Sequence, residues 1–183
     1  MGKEYTISTL KANIIGVPIF ILALIIVWIP YRFLWDLSSR DIIAILDIIN
    51  SHFVVIILTI IILAVLHELL HAIGWMLNSD ARWKDIKFGV VWKLLTPYAH
   101  LRIPISAHGH RIAVALPGII LGIIPALSGI IFGSGVIAFI GAVMTGASGG
   151  DLMVIWMMRS IPPDKLVQDH PTKAGFTLID NGK

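Results

Sequence analysis

The chain has 183 residues, of which 57% are hydrophobic and 14% are charged, and its formal net charge is +3. Soluble domains are typically about 45–50% apolar and about 25% charged, so this composition excludes an ordinary soluble domain and indicates an integral membrane protein. The chain contains no cysteine, which excludes disulfides and cysteine-ligated metal sites. No basic surface interleaved with aromatic residues is apparent, so no nucleic-acid partner is expected.

Four hydrophobic segments are long enough to cross a bilayer, which takes about 20 apolar residues in a helix. They cover about 13–35, 52–76, 112–132 and 136–158. The first follows two lysines, but it is too long for a signal peptide and no small-residue cleavage site follows it, so we expect it to be retained as a transmembrane helix. The short segment 41–50 mixes isoleucines with polar residues and is predicted to lie at the membrane interface.

The loop between the second and third spans carries too many charges to be another span. In it, Ile86, Phe88 and Val90 alternate with charged or small residues, which is the period of a strand. The sequence therefore predicts a β-hairpin over about 84–104 at the cytoplasmic membrane surface, with a turn at Leu-Thr-Pro, 95–97. An irregular amphipathic loop is the alternative.

The basic residues predict the orientation, because cytoplasmic loops of membrane proteins carry an excess of Lys and Arg. With four spans, the N-terminus, the 77–111 loop and the tail share one side, and that side holds every Lys and Arg except Arg32 and Arg40. Both termini are therefore expected in the cytoplasm. The predicted fold is a single all-α membrane domain over 1–183, a bundle of about four transmembrane helices with the small hairpin and a polar cytoplasmic tail, 159–183.

The second span contains the sequence His-Glu-Leu-Leu-His. His67 and His71 are four residues apart, so both imidazoles project from one helix face and can share a metal ion. Glu68 lies beside them, where it can take a proton from a metal-activated water molecule. Ionisable residues inside a membrane helix are costly and usually functional, so these residues predict a zinc site. A polar cluster that only holds helices together is the alternative.

A catalytic zinc ion usually takes three protein ligands, and Asp151 is the candidate for the third. The second and fourth spans run in the same direction, so Asp151 lies at a depth similar to that of His67 and His71, about 10 Å below the cytoplasmic surface at a rise of about 1.5 Å per residue. Small residues line both helices near these positions and allow a close approach. Alternatively, Asp151 pairs with Arg159 or with water.

Other polar residues compete for the third ligand position. Histidines outside the second span are alternatives to Asp151. His100 ranks first among them, as a ligand or as a transition-state stabiliser, and His108, His110 and His170 rank below it. His52 and Asp47 lie at the opposite membrane face and cannot reach the site. On chemistry alone, Asp169 is predicted to be a surface turn residue.

Several motifs resemble a domain-of-unknown-function family of proposed membrane zincin metallopeptidases, similar to the site-2 intramembrane proteases. The resemblance covers about 60–178 and rests on HELLHAIGW, IKFG, YAHLRIPIS, VALPGI, and SGGDLMVI followed by DHPTKAGF. It implies that His67, His71 and Asp151 bind zinc and that Glu68 is the catalytic acid and base.

The resemblance also implies a prokaryotic cell membrane, and it adds weight to Asp169 without assigning it a role. One departure is the setting of the late aspartate. Site-2 proteases commonly place it in Asn-Pro-Asp-Gly or Leu-Asp-Gly, whereas here Asp151 lies in Gly-Gly-Asp-Leu. Substrate-handling features of those proteases are therefore not carried over.

Together these observations predict an intramembrane zinc metallopeptidase that binds one Zn²⁺, or a similar divalent ion, and cleaves a membrane-protein or membrane-associated peptide. A helical substrate must unwind before attack, and the hairpin edge could hold the resulting strand by β-augmentation. Gly149 and Gly150 are expected to leave space for a water path. Two alternatives remain, namely a zinc-dependent hydrolase of a lipid-linked substrate and a non-catalytic metal-binding scaffold.

Overall fold

The computed structural model of the protein describes residues 2–35, 43, 46–47, 51–93, 95–171 and 173–179. These residues form a mostly helical structure with two small antiparallel sheets. Most of the segment 41–50, which the sequence predicts to lie at the membrane interface, falls outside the described residues.

The helices account for all four predicted hydrophobic segments. They are α1 (Thr9–Trp35), α2 (Phe53–Leu77), α3 (Ala107–Pro117), α4 (Ile124–Phe132), α5 (Gly135–Ala147) and α6 (Gly149–Met158). A π-helical turn, Gly118–Ile123, joins α3 to α4, so Ala107–Phe132 forms one long helix. By length and composition, three helices are able to cross a membrane, and α5 with α6 would form a fourth span if the bent pair crosses as one.

The predicted span 136–158 is not straight, because α5 and α6 meet at an angle of 47°. Ser148 lies at the junction, and its hydroxyl donates a hydrogen bond to the Met144 carbonyl at 3.1 Å. Such back-bonding from a serine often bends a helix. As a result, Asp151 lies in the first turn of α6, directly after the bend.

Small residues allow the helices to pack closely. A Cβ atom added to Gly129 would lie 2.2 Å from the backbone nitrogen of Ala138, and one added to Gly141 would lie 2.2 Å from that of Ala126. These distances leave no room for any side chain between α4 and α5. Close backbone approach through small residues is typical of membrane helix pairs.

The predicted hairpin is confirmed as a pair of antiparallel strands, β2 (Ile86–Val91) and β3 (Thr96–Leu101). Its turn lies between the two strands, slightly before the predicted Leu-Thr-Pro turn, and Leu95 has a left-handed backbone with φ of 49°. Pro97 therefore belongs to β3 and pairs with Val90.

A second sheet was not predicted from the sequence. It contains β1 (Glu4–Ile7), β4 (Ile105–Ser106), β5 (Leu166–Asp169) and β6 (Ala174–Leu178) in the spatial order β1-β6-β5-β4. Two of these strands come from the segment predicted as a polar tail. The tail strands contribute fully buried side chains to the core around the site; these are Val167 and Phe176.

Candidate metal centre

Three predicted ligands converge between α2 and α6. The Nε2 atom of His67 lies 3.1 Å from Oδ2 of Asp151, and the Nε2 atom of His71 lies 3.3 Å from Oδ1. One ligand atom from each of the three residues lies within 4.8 Å of the others. Tetrahedral zinc ligands at about 2.0–2.2 Å from the ion lie roughly 3.4 Å apart, so the observed spacing suits a shared zinc ion.

The hydrogen bonding of His71 shows that this group fits a cation. Its Nδ1 atom lies 3.0 Å from the Ala113 carbonyl oxygen, which can only accept, so Nδ1 carries hydrogen. In the neutral imidazole, Nε2 then carries no hydrogen and can only accept a hydrogen bond. The carboxylate of Asp151, which faces it, is likewise only an acceptor. Two acceptors facing each other in a buried site require a cation or a proton between them. Histidine ligands of metals commonly donate their other N–H to a carbonyl in this way.

The close packing of α2 and α3 produces this orienting hydrogen bond. A Cβ atom added to Gly74 would lie 2.5 Å from the Cα atom of Ala113, so only glycine permits the observed approach. Trp75, one residue further along, stacks on the imidazole of His71 with ring centroids 5.9 Å apart. The indole N–H of Trp75 in turn donates to Nδ1 of the fully buried His110 at 3.3 Å.

Glu68 lies beside the three ligands and contacts the hairpin. Its carboxylate lies beside the backbone N–H of Ala99 on β3, and its charged neighbours are His67, His71 and Asp151. Glu68 thus lies between the metal group and a strand edge, which is a suitable position for a general acid or base.

The metal group and Glu68 line a cavity of about 540 Å³. Residues from the hairpin and from the second sheet complete its wall, including His100, Asp169 and His170. The cavity is therefore shared by the helices and by both sheets. Gly150 also lines it, and a Cβ atom added there would meet nothing within 4 Å, whereas Gly149 packs against Gly16. Only the second of the two predicted glycines thus borders open space.

None of the competing histidines belongs to the metal group among the described residues, although His100, His110 and His170 line the same cavity. His100 is hydrogen bonded to Asp169, at 2.9 Å between Nδ1 and Oδ2. His110 is buried against Trp75 instead of lying exposed in a loop, and His108 is exposed. His170 accepts a hydrogen bond at Nδ1 from the backbone N–H of Lys173. Among the described residues, the group that could hold a metal is His67, His71 and Asp151.

The alternative pairing of Asp151 with Arg159 does not occur. The guanidinium of Arg159 stacks over the ring of Trp156 at 4.3 Å and donates to the Trp156 carbonyl. Sequence reasoning missed the pairing of His100 with Asp169, which are 69 residues apart. The only available signal was the position of Asp169 in a motif shared with the resembled family.

The comparisons with known proteins agree with this site. The model of the family DUF3267, described as "Putative zincin peptidase", matches residues 60–166, which is more than half of the chain. This range includes the three candidate ligands and Glu68 and ends shortly before Asp169. No curated protein and no solved structure shows a significant match.

Proposed function

The chain belongs to the DUF3267 zincin peptidase family, as its motifs predicted, and from this premise we propose that it is an intramembrane zinc metallopeptidase. The observation that carries the proposal is the convergence of His67, His71 and Asp151 next to Glu68. Those residues supply the ligand set and the acid–base group that hydrolysis at a zinc ion requires.

The mechanism assigns one task to each group. Zinc held by His67, His71 and Asp151 would act as a Lewis acid that activates water and polarises the substrate carbonyl. Glu68 takes the proton from the attacking water oxygen as the new C–O bond forms. It then delivers that proton to the amide nitrogen as the C–N bond breaks. The hydrogen bond from His71 to Ala113 keeps the imidazole oriented during these steps.

The edge of β3 supports a peptide as the substrate. The N–H of Leu101 bonds to Asp169 instead of to β2, so the N–H of Ala99, two residues before it, points away from β2 as well. An extended peptide that paired with Ala99 by β-augmentation would lie directly against Glu68. Binding there would displace Glu68 from the Ala99 N–H and leave its carboxylate available to water.

The apolar helices support a location within the membrane. Helix α2 is long and apolar enough to cross a bilayer, and it carries both histidines in its last three turns. Its first half is largely exposed, with Val54 and Ile61 at 69% and 53%, as expected for a surface that meets lipid. We propose that both termini lie in the cytoplasm and that the substrate is a membrane-protein or membrane-associated peptide.

A second candidate is a zinc-dependent hydrolase of a lipid-linked amide or ester. An apolar cavity of about 580 Å³ lies between α2 and α5, and its lining reaches Leu63, one helical turn before His67. An acyl chain would fit such a cavity, and the same catalytic residues would act on its head group.

Metal content tests the shared part of both candidates. Purified wild-type protein in detergent is expected to retain about one zinc ion per chain after dialysis, measured by mass spectrometry of the metal. His71→Ala should retain none, while the exposed His108→Ala should match the wild type. Zinc-free wild-type protein, or equal zinc content in His71→Ala, would contradict the proposal.

The products distinguish a peptidase from a lipid hydrolase. Membranes containing the protein are stripped of metal with a chelator, and Zn²⁺ is restored to half of each sample. We expect new peptide termini that depend on zinc and are missing with His71→Ala, detected by terminal-peptide mass spectrometry. Zinc-dependent changes confined to the lipid extract would favour the second candidate instead.

A further inference from the structure

A second histidine–carboxylate pair lies in the wall of the catalytic cavity. The Nδ1 atom of His100 on β3 and the Oδ2 atom of Asp169 on β5 are 2.9 Å apart. Their side chains are only 13% and 16% exposed, and both line the cavity that contains Glu68. The pair does not belong to the metal group, and the proposed mechanism leaves it without a task.

Asp169 is held in place from two directions. The same Oδ2 atom accepts a hydrogen bond from the backbone N–H of Leu101 at 3.3 Å. The neighbouring Gln168 donates its side-chain amide to the Leu101 carbonyl at 2.8 Å. These bonds attach β5 to the edge of β3 and set the position of the carboxylate relative to His100.

This arrangement determines which ring atom of His100 can meet a ligand. An ionised carboxylate only accepts hydrogen bonds, so Nδ1 carries the hydrogen in the bond to Asp169. Nε2 is then the remaining polar atom of a side chain that lines the cavity. The two side chains are partly buried, and a hydrogen-bonded pair of this kind is weak evidence for stability, because desolvation offsets the attraction between the groups. Its place in the wall of the cavity that holds Glu68 and the metal group points to a functional role.

His100 and Glu68 converge on one strand segment. Glu68 lies beside the N–H of Ala99, His100 is the next residue on β3, and all three line the same cavity. A peptide carbonyl placed for attack next to Glu68 therefore lies beside the residue that carries the imidazole. His110, which also lines the cavity, is buried against Trp75 and accepts a hydrogen bond from it at Nδ1.

We propose that His100 is a further catalytic residue that stabilises negative charge on the scissile carbonyl oxygen, and that Asp169 is its positioning residue. The inference rests on the proposed peptidase function. As the water oxygen bonds to the carbonyl carbon, the π electrons move to the carbonyl oxygen and the water proton moves to Glu68. For this role His100 must carry hydrogen on both nitrogens, so that it donates Nδ1–H to Asp169 and Nε2–H to that oxygen. It loses no proton when the C–N bond breaks and Glu68 protonates the amine.

Binding of a tetrahedral analogue tests this role without relying on turnover. The probes are a dipeptide phosphonamidate, which carries a tetrahedral anion, and the corresponding planar dipeptide amide. Both are titrated into the zinc-loaded protein in detergent, with the amide measured by competition. His100→Ala is expected to weaken phosphonamidate binding about 100-fold, the effect of removing one oxyanion donor. It should change the affinities for the amide and for zinc by less than about twofold. The planar amide lacks the negative charge that His100 stabilises, and His100 is not one of the zinc ligands.

The positioning role of Asp169 requires a double-mutant cycle. Asp169→Asn alone should weaken phosphonamidate binding about tenfold, and it should have little further effect in the His100→Ala protein, because it acts through that histidine. His108→Ala and Asp164→Asn, the same changes at exposed positions, should behave like the wild type.

The outcomes separate the inference from the proposed function. If His100→Ala binds the phosphonamidate as tightly as the wild type, or weakens the amide equally, the role assigned to His100 is wrong. Additive effects of the two substitutions would overturn the coupling to Asp169. If zinc-loaded wild-type protein does not bind the phosphonamidate, or binds it equally without zinc, the peptidase proposal itself fails.

Discussion

The two ends of the helical bundle are built on different principles. At the helical end, small and aromatic residues pack in a core whose described members are uncharged; these are Val27, Tyr31, Ala126, Ala138 and Ala142. At the site end, the core around Trp75, Leu101 and Phe176 also encloses His71 and His110. The first end is mainly a matter of close packing, whereas the second also buries histidine side chains.

The difference extends to hydrogen bonding. At the helical end, the hydroxyl of Tyr31 donates to the Gly133 carbonyl at 3.0 Å, and Trp35 donates to the Ile130 carbonyl at 2.7 Å. At the site end, His67 Nδ1 and His110 Nε2 are buried and have no hydrogen-bond partner among the described residues. Unsatisfied buried polar atoms are rare in native structures and commonly mark functional sites. The side-chain donors of Tyr31 and Trp35 are thus paired within the protein, whereas the site end has buried polar atoms that a ligand could contact.

The largest expected effect is on chemistry at the site end. Glu68→Gln removes the proton acceptor but preserves the shape of the side chain. We expect hydrolysis to fall about 1,000-fold, within the range of general acid–base catalysis. The loss is measured as the initial rate at which the cleavage product identified in membranes is formed. Zinc content should stay at the wild-type level, and an unchanged rate would remove Glu68 from the mechanism.

Overpacking should break the helical end. Gly141→Leu places a side chain where even a Cβ atom would lie 2.2 Å from Ala126. The free energy of unfolding should fall by about 3 kcal/mol, the upper range for overpacked cores. Equilibrium unfolding in mixed detergent measures it, with Ile137→Leu at an exposed position of the same helix as the control. A wild-type unfolding curve would show that these helices are not in close contact.

A smaller change should connect helix packing to the metal. Gly74→Ala pushes α3 away from α2 and thereby stretches the hydrogen bond from His71 to Ala113. Loss of such an orienting bond weakens metal binding, here by about tenfold. Competition with a fluorescent zinc chelator gives the affinity. Gly16→Ala, where the added Cβ meets nothing within 4 Å, serves as the control and should bind zinc normally.

The smallest effect is expected from one hydrogen bond at the helical end. Tyr31→Phe removes the donor to the Gly133 carbonyl and should lower the free energy of unfolding by about 1 kcal/mol. Zinc affinity and hydrolysis should not change, because neither Tyr31 nor Gly133 lines the cavity that contains the ligands. Detergent unfolding and the zinc competition assay, run on the same preparation, check both statements. A loss of zinc affinity would show that the two ends are not independent.

Much of the geometry of the candidate site could be predicted because its determinants are local. The spacing of His67 and His71 depends only on helix geometry, and counting residues along the two helices places Asp151 level with them. The bend at Ser148 could not be predicted, because a single serine bends some helices and not others. The pairing of His100 with Asp169 depends on how the tail strands return to the hairpin.

The tail strands themselves escaped prediction for a related reason. The strands β5 and β6 have only four and five residues, which is too short for a clear alternating pattern. Their buried residues, Val167 and Phe176, become core only when β1, β4 and the site end are present around them. Whether these residues form strands therefore depends on the other strands of the sheet.

The sequence by itself determined the apolar helices, the hairpin and the helix face that carries His67, Glu68 and His71, since helix and strand periods act over a few residues. Only the tertiary structure decided that Asp151 faces those histidines, that Ala113 orients one of them and that Asp169 bonds to His100. These contacts join residues far apart in the chain, and their formation depends on backbone approach and strand order, which no local pattern encodes.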